Sequence, residues 1–164
     1  MTNTNNVQTK KGFTMIELIF VIVIIGILAS VAIPRLAATR DDAKIATALS
    51  ETGMILRETT AYYTANGHFE DTASKMSNVS EFNLTSGNVD SNDAIFTYYT
   101  PKNGSGTEAC VDFKIYNTDG NVTISDSASN ATPSGNVCRG IRKSNTFKIK
   151  LTGSHAVGGS NVSF

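Results

Sequence analysis

Residues 18–33 read LIFVIVIIGILASVAI, sixteen positions without a charge. Taken from Phe13 to Ile33, the apolar run covers 21 residues. As a helix at ~1.5 Å per residue it would reach about 32 Å, close to the hydrocarbon thickness of a bilayer. The rest of the chain differs in kind. Of 164 residues only 17% are charged, with 14 Lys and Arg against 14 Asp and Glu, and Asn, Ser, Thr and Gly supply most of the remaining polar surface. That length suits one small domain carrying an appended element. The balanced charge and a pI near 6.7 give no basic footprint, so nucleic acid is not expected as a partner.

Three readings compete for the apolar run: a permanent membrane helix, a cleaved secretory signal and a very hydrophobic core helix. The core reading is the weakest, because no comparably apolar partner surface exists elsewhere in the sequence. Lys10 and Lys11 before the run, and the small residues Ser30-Val31-Ala32 near its end, fit a secretory signal. Against that stand Glu17 inside the run and a helical pattern that continues past Ala32. Lys10, Lys11 and the chain amine on one side balance Arg35, Arg40 and Lys44 on the other, so basic residues leave the orientation undecided.

A carboxylate in a membrane helix costs ~2.5–3.5 kcal/mol on insertion scales and therefore needs a partner. Thr14-Met15-Ile16-Glu17 fits the S/T-x-x-E capping box, in which Glu17 answers an orphan amide at a helix start. Alternatively Glu17 faces a positive charge, the nearest sensible one being an amine created by proteolysis. The two readings stand level.

Lys10-Lys11-Gly12-Phe13-Thr14-Met15-Ile16-Glu17-Leu18-Ile19, followed by an apolar helix and Pro34, resembles the class III signal of type IV pilins and type II secretion pseudopilins. The resemblance covers about residues 10–63. It implies a leader, residues 1–12, removed by a prepilin peptidase between Gly12 and Phe13, with N-methylation of Phe13. It also implies that Glu17 neutralises the new amine and registers subunits in a filament, and that the helix bends near Gly26 and Pro34. With Lys10 and Lys11 gone, the net charge falls from zero to −2.

Beyond Pro34, Ile45, Leu49, Thr52, Leu56, Thr59 and Tyr63 recur at steps of four and three, a single helix stripe. Asn66-Gly67 is a stop signal. One helix is thus predicted from about Thr14 to Ala65: a membrane or filament-core half over 13–33 and an amphipathic half over 34–65. Residues 66–94 read as a mostly irregular connection with a short helical turn near 73–76. The period then becomes two, predicting strands at 95–100, 109–116, 121–125 and 146–151, with a turn at Asn117-Thr118-Asp119-Gly120. The expected fold class is α+β. The long amino-terminal helix packs on a small antiparallel sheet of three or four strands, in a globular head over 66–164.

Cys110 and Cys138 would be independent thiols in the cytosol and a bridge outside it. A bridge closing that span would contribute about 3–4 kcal/mol on the chain-entropy estimate, and would tie down a polar loop, 126–137, that otherwise has little to hold it. The resemblance favours the bridge, since many type IV pilins carry a disulfide-bounded loop near the carboxy terminus. The 26 residues after Cys138 make a longer tail than many major pilins have.

Catalysis finds no motif. His68 at the helix exit and His155 in a Gly/Ser-rich tail read as surface histidines, and no phosphate loop, HExxH or EF-hand pattern occurs. No cofactor is expected. Asp112, Asp119 and Asp126 are the acids a Ca²⁺ ion would use, and turn and strand-edge solubility explains them as well. Tyr62, Tyr63, Tyr98, Tyr99 and Phe113 read as head packing. Of six N-x-S/T triplets, those at Asn83 and Asn121 also carry an acid two residues earlier, the pattern of bacterial N-glycosylation.

The expected function is a prepilin-type structural subunit, polymerised into a type IV pilus-like filament for adhesion, motility or DNA uptake. A pseudopilin driving type II secretion is the alternative. From another class, the alternatives are a secreted binding protein cut after Ala32 and a membrane-anchored sensor or adhesin head, neither of which polymerises. The resemblance implies as partners copies of the chain, other pilin-like subunits, the prepilin peptidase and an inner-membrane platform with its ATPase. The precursor would sit in the bacterial inner membrane with its head in the periplasm, and later in a periplasmic or cell-surface filament.

Overall fold

A computed structural model describes residues 12–156. Residues 1–11 of the expected leader and 157–164 of the expected head lie outside the described residues. The chain divides between Thr39 and Arg40 into two compact units. Helix α1 is Met15–Asn66, with Pro34 inside it. Its end has a local cause: Gly67 adopts φ 75° and its N–H donates to the Tyr63 carbonyl at 2.7 Å, closing the last turn.

In the first unit the apolar side chains face outward, from Phe13 at 89% exposed through Phe20 at 67% to Leu36 at 68%. The helix is long and apolar enough to cross a membrane.

The second unit is an antiparallel meander packed on the rest of α1. Its elements are α2 (Ala73–Met76), β1 (Phe82–Ser86), β2 (Ala94–Pro101), β3 (Thr107–Tyr116), β4 (Asn121–Asp126), α3 (Asn136–Lys143), a π-helical turn (Phe147–Leu151) and β5 (Gly153–Ala156). The five strands lie in the order β1-β2-β3-β4-β5. The architecture is the α+β arrangement the sequence predicts, with more strands. The three central strands coincide with the predicted ones to within two residues, and β1 and β5 were not anticipated.

The sheet face toward α1 carries Phe96 opposite Phe113 and Phe113 opposite Ile124. Phe82 stacks on Phe96 with ring centroids 5.2 Å apart and meets Phe113 edge-on at 5.3 Å. The helix positions sealed against this core are Ala48, Thr52, Ile55 and Thr59, while Ile45, Leu49, Leu56 and Tyr63 pack at its margin. The buried stripe is therefore rotated from the predicted one, with Ala48 and Ile55 at its centre. Two threonines can sit there because each returns its hydroxyl to the helix, Thr52 to the Ala48 carbonyl at 2.8 Å and Thr59 to the Ile55 carbonyl at 2.7 Å.

The strand predicted at 146–151 is not formed. If it were, Phe147, Ile149 and Leu151 would share one face; instead Phe147 is buried and Ile149 is 77% exposed. The preceding α3 dictates the outcome. Ser144 ends that helix and its Oγ accepts the Phe147 N–H at 3.1 Å. The chain is thereby started in a helical turn, which closes with the Thr152 N–H on the Phe147 carbonyl at 2.8 Å.

Candidate processing, assembly and loop-stitching sites

Gly12 and Phe13 are exposed and precede the helix, so the bond between them is not protected by secondary structure. The capping box is formed. The Glu17 carboxylate accepts the Thr14 N–H at 2.8 Å and the Thr14 hydroxyl at 2.8 Å, and the Glu17 N–H donates back to that hydroxyl at 3.3 Å. Glu17 also lines a shallow groove of about 340 Å³ with Phe13, Ile16, Phe20 and Val21. The carboxylate thus sits on an apolar wall, held by its own helix start. Gly26 has no heavy atom within 4 Å of where a Cβ would stand, so close packing within the chain does not account for it.

Cys110 and Cys138 form the bridge, with Cα atoms 5.5 Å apart and both residues fully buried. Cys110 is the extra residue where the β2–β3 register shifts between Tyr98 and Tyr99. Cys138 lies on α3, whose Val137, Cys138 and Ile141 face the core. Helix α3 comes so close to α1 that a Cβ on Gly140 would overlap Ile45.

The polar loop at 126–137 has more to hold it than the bridge, contrary to the sequence reading. Buried Glu108 accepts the backbone N–H groups of Ser134 at 2.9 Å and Gly135 at 2.8 Å, with the Ser134 hydroxyl at 3.2 Å and the Asn130 amide at 3.3 Å. Burial pushes the Glu108 carboxyl up, but these donors together hold it below the ordinary carboxylate range. Arg142 donates to the carbonyls of Cys110 and Asn130, each at 2.8 Å. On the sheet face away from α1, Asp112 accepts the Thr97 hydroxyl at 2.7 Å and the Ala128 N–H at 3.0 Å. Sequence reasoning missed Glu108 and Arg142 because their partners are backbone groups some 12 to 32 residues away.

The acids considered for Ca²⁺ have separate engagements. Asp112 holds the loop, Asp119 accepts the Asn121 N–H at 3.2 Å, and Asp126 lies 3.6 Å from Arg142. Among the described residues no group of three or more His, Cys, Asp or Glu is placed to hold a metal ion. His68 is exposed beside Glu70 at 3.9 Å, and His155 sits on β5 with Nε2 2.7 Å from the Leu151 carbonyl. Of the aromatics expected to pack the head, Phe113 and Tyr98 are buried and Tyr62 and Tyr63 half-buried. Tyr98 donates its hydroxyl to Glu51 on α1, and burial raises its pKa, with Glu51 adding to the shift.

Comparison with known proteins places the amino-terminal segment. Residues 8–33 match the prokaryotic N-terminal methylation motif. The chain is 46% identical over 46 residues to the type IV major fimbrial protein FimA of Dichelobacter nodosus, covering 28% of this chain and 30% of that protein. It is 50% identical over 36 residues to the type II secretion system core protein G of Klebsiella michiganensis, covering 22% of this chain and 25% of that protein. The chain thus matches less than a third of the length of these relatives. No solved structure matches the chain.

Proposed function

We propose that this chain is a prepilin-type structural subunit, cut between Gly12 and Phe13, N-methylated on Phe13, and polymerised into a type IV pilus-like filament through the apolar half of α1. The observation that carries the reading is the apolar surface exposed along the first unit, in a segment that matches the methylation motif. A single chain cannot bury that surface. Lipid covers it before assembly, and the same helices of other copies cover it afterwards.

Glu17 changes partner in this account. In the uncut chain it caps Thr14. Cutting makes the Phe13 nitrogen an amine, which would be as costly in lipid or in a filament core as a lone carboxylate. Paired with the Glu17 of another copy, the two charges offset each other, and only one axial stagger brings them together. The chain performs no catalysis in this reading. A peptidase cuts it, and an inner-membrane platform with an ATPase supplies the work. The precursor lies in the bacterial inner membrane with the head in the periplasm, where the Cys110–Cys138 bridge forms.

A second reading, a pseudopilin of a type II secretion system, is favoured by the likeness to core protein G over 36 residues. Both readings are tested by shearing cells that make the chain and blotting the released fraction for the head. A pilus subunit is released as filaments, and release stops when the assembly ATPase is deleted. A pseudopilin stays with the envelope. Recovery of the chain only as a soluble monomer would overturn both.

A further inference from the structure

Two acidic N-x-T sequons occur in the head, Glu81-Phe82-Asn83-Leu84-Thr85 and Asp119-Gly120-Asn121-Val122-Thr123. The fold treats them differently. Asn121 is half-buried at the start of β4, an inner strand between β3 and β5. Its side-chain amide donates to Asp119, the very acid of its sequon, and its N–H donates to the same carboxylate at 3.2 Å. Freeing Asn121 would mean opening the sheet from within.

The sequon around Asn83 lies on β1, an edge strand paired on one side only, with Asn83 opposite Thr97 of β2. Glu81, Asn83 and Thr85 are exposed, while Phe82 is buried and Leu84 half-buried. The three residues a transferase reads thus face solvent, and the two between them anchor the strand. The Asn83 side-chain amide donates to no protein group among the described residues. The register shifts between Leu84 and Ser86, which leaves Thr85 out of the ladder with its hydroxyl 3.4 Å from the Asn83 carbonyl. Because β1 is an edge strand, Asn83 is reached from solvent with the β1–β2 and β2–β3 pairings intact. The other described triplets lack these features. Asn78 and Asn103 have no acid two residues earlier, and the Asn130 amide is held by the Ala109 carbonyl at 2.9 Å.

We infer that Asn83 is an acceptor for N-linked oligosaccharide. The inference rests on the proposed topology, in which the head leaves the cytoplasm. In the transfer, Nδ2 of Asn83 attacks the anomeric carbon of a sugar carried on a polyprenyl diphosphate. The carbon–nitrogen bond forms as the bond from that carbon to the diphosphate oxygen breaks. Nδ2 gives up one proton, and the polyprenyl diphosphate leaves. A glycan there would cover the open edge of β1 and block edge-to-edge pairing of heads.

The test is expression of the full chain in a bacterium that makes a polyprenyl diphosphate-linked oligosaccharide and an oligosaccharyltransferase requiring Asp or Glu two residues before the asparagine. Wild type, N83Q, T85A, E81Q and N121Q are compared by mass spectrometry of the intact chain and of the tryptic peptide spanning 76–102. The expected result is one glycan on Asn83, lost in N83Q and T85A, reduced in E81Q and unchanged in N121Q. Thiol alkylation is scored on the same samples. An unmodified chain with Cys110 and Cys138 oxidised overturns the acceptor site alone, as does a glycan on Asn121 or Asn78 with Asn83 bare. An unmodified chain with both cysteines reduced overturns the exported topology and the inference with it.

Discussion

Glu108→Gln tests how the head holds its carboxy-terminal loop. The carboxylate accepts two backbone N–H groups, from Ser134 and Gly135, on its two different oxygens. The glutamine keeps the shape but offers only one oxygen, so one of those N–H groups is left facing another donor. An unpaired buried donor costs ~1–3 kcal/mol, and the lost charge assistance to the remaining bonds adds ~1 kcal/mol. Together these give a destabilisation of about 2–4 kcal/mol at neutral pH. The measurement is urea unfolding of the purified chain in detergent, followed by the near-ultraviolet circular dichroism of its tyrosines.

The pH dependence adds a second condition. The folded pKa of Glu108 lies below its unfolded value, so the folded state binds fewer protons across that interval. Its contribution is complete above the unfolded carboxylate range and is lost as the pH falls through the folded value. The gap between wild type and E108Q should therefore be full at pH 7 and shrink on acidification. A gap within about 0.5 kcal/mol at pH 7, the scale of an ordinary surface change, would show that the Glu108 carboxylate does not hold the loop. So would a full gap that persists unchanged into acid.

Removing the bridge in the Cys110→Ser, Cys138→Ser double variant should cost about 3–4 kcal/mol on the chain-entropy estimate, read as a lower urea midpoint that matches reduced wild type. Phe147→Ala should cost ~3–5 kcal/mol as a large-to-small change at a sealed site. Ile149→Ala should cost no more than about 0.5 kcal/mol; equal losses in thermal melts would restore the strand reading of this segment. Glu17→Ala should abolish efficient filament formation while leaving the precursor in the membrane fraction, as judged by blotting sheared and membrane fractions; normal filament yield would sink the pairing argument.

The long helix and the three central strands were legible because each repeats one period over many residues. The apolar run, the steps of four and three after Pro34, and the alternation at 109–116 each outweigh local irregularities. The helix end was legible for a different reason: only glycine takes the left-handed turn at Gly67 without strain. Where the sequence misled, a short segment had been judged by its own pattern. Phe147, Ile149 and Leu151 alternate as a strand does, yet the end of α3 starts the chain in a helical turn. Helix α3 itself is eight residues long, and its buried face is three residues, Val137, Cys138 and Ile141; periodicity cannot speak over so short a span. The spacing of Val137 and Ile141 was the available signal. At the amino terminus the capping box and the charge pair were level alternatives. The structure forms the box, and the pair awaits the amine that cutting would create.

If the apolar half of α1 begins at a processed Phe13 and is used for assembly, the amino-terminal peptide of this chain in filaments gently sheared from cells should show it by mass spectrometry. The peptide expected there starts at Phe13 and carries one added methyl group on its nitrogen. A chain that starts at Ile33 and is found only in the soluble fraction would contradict it.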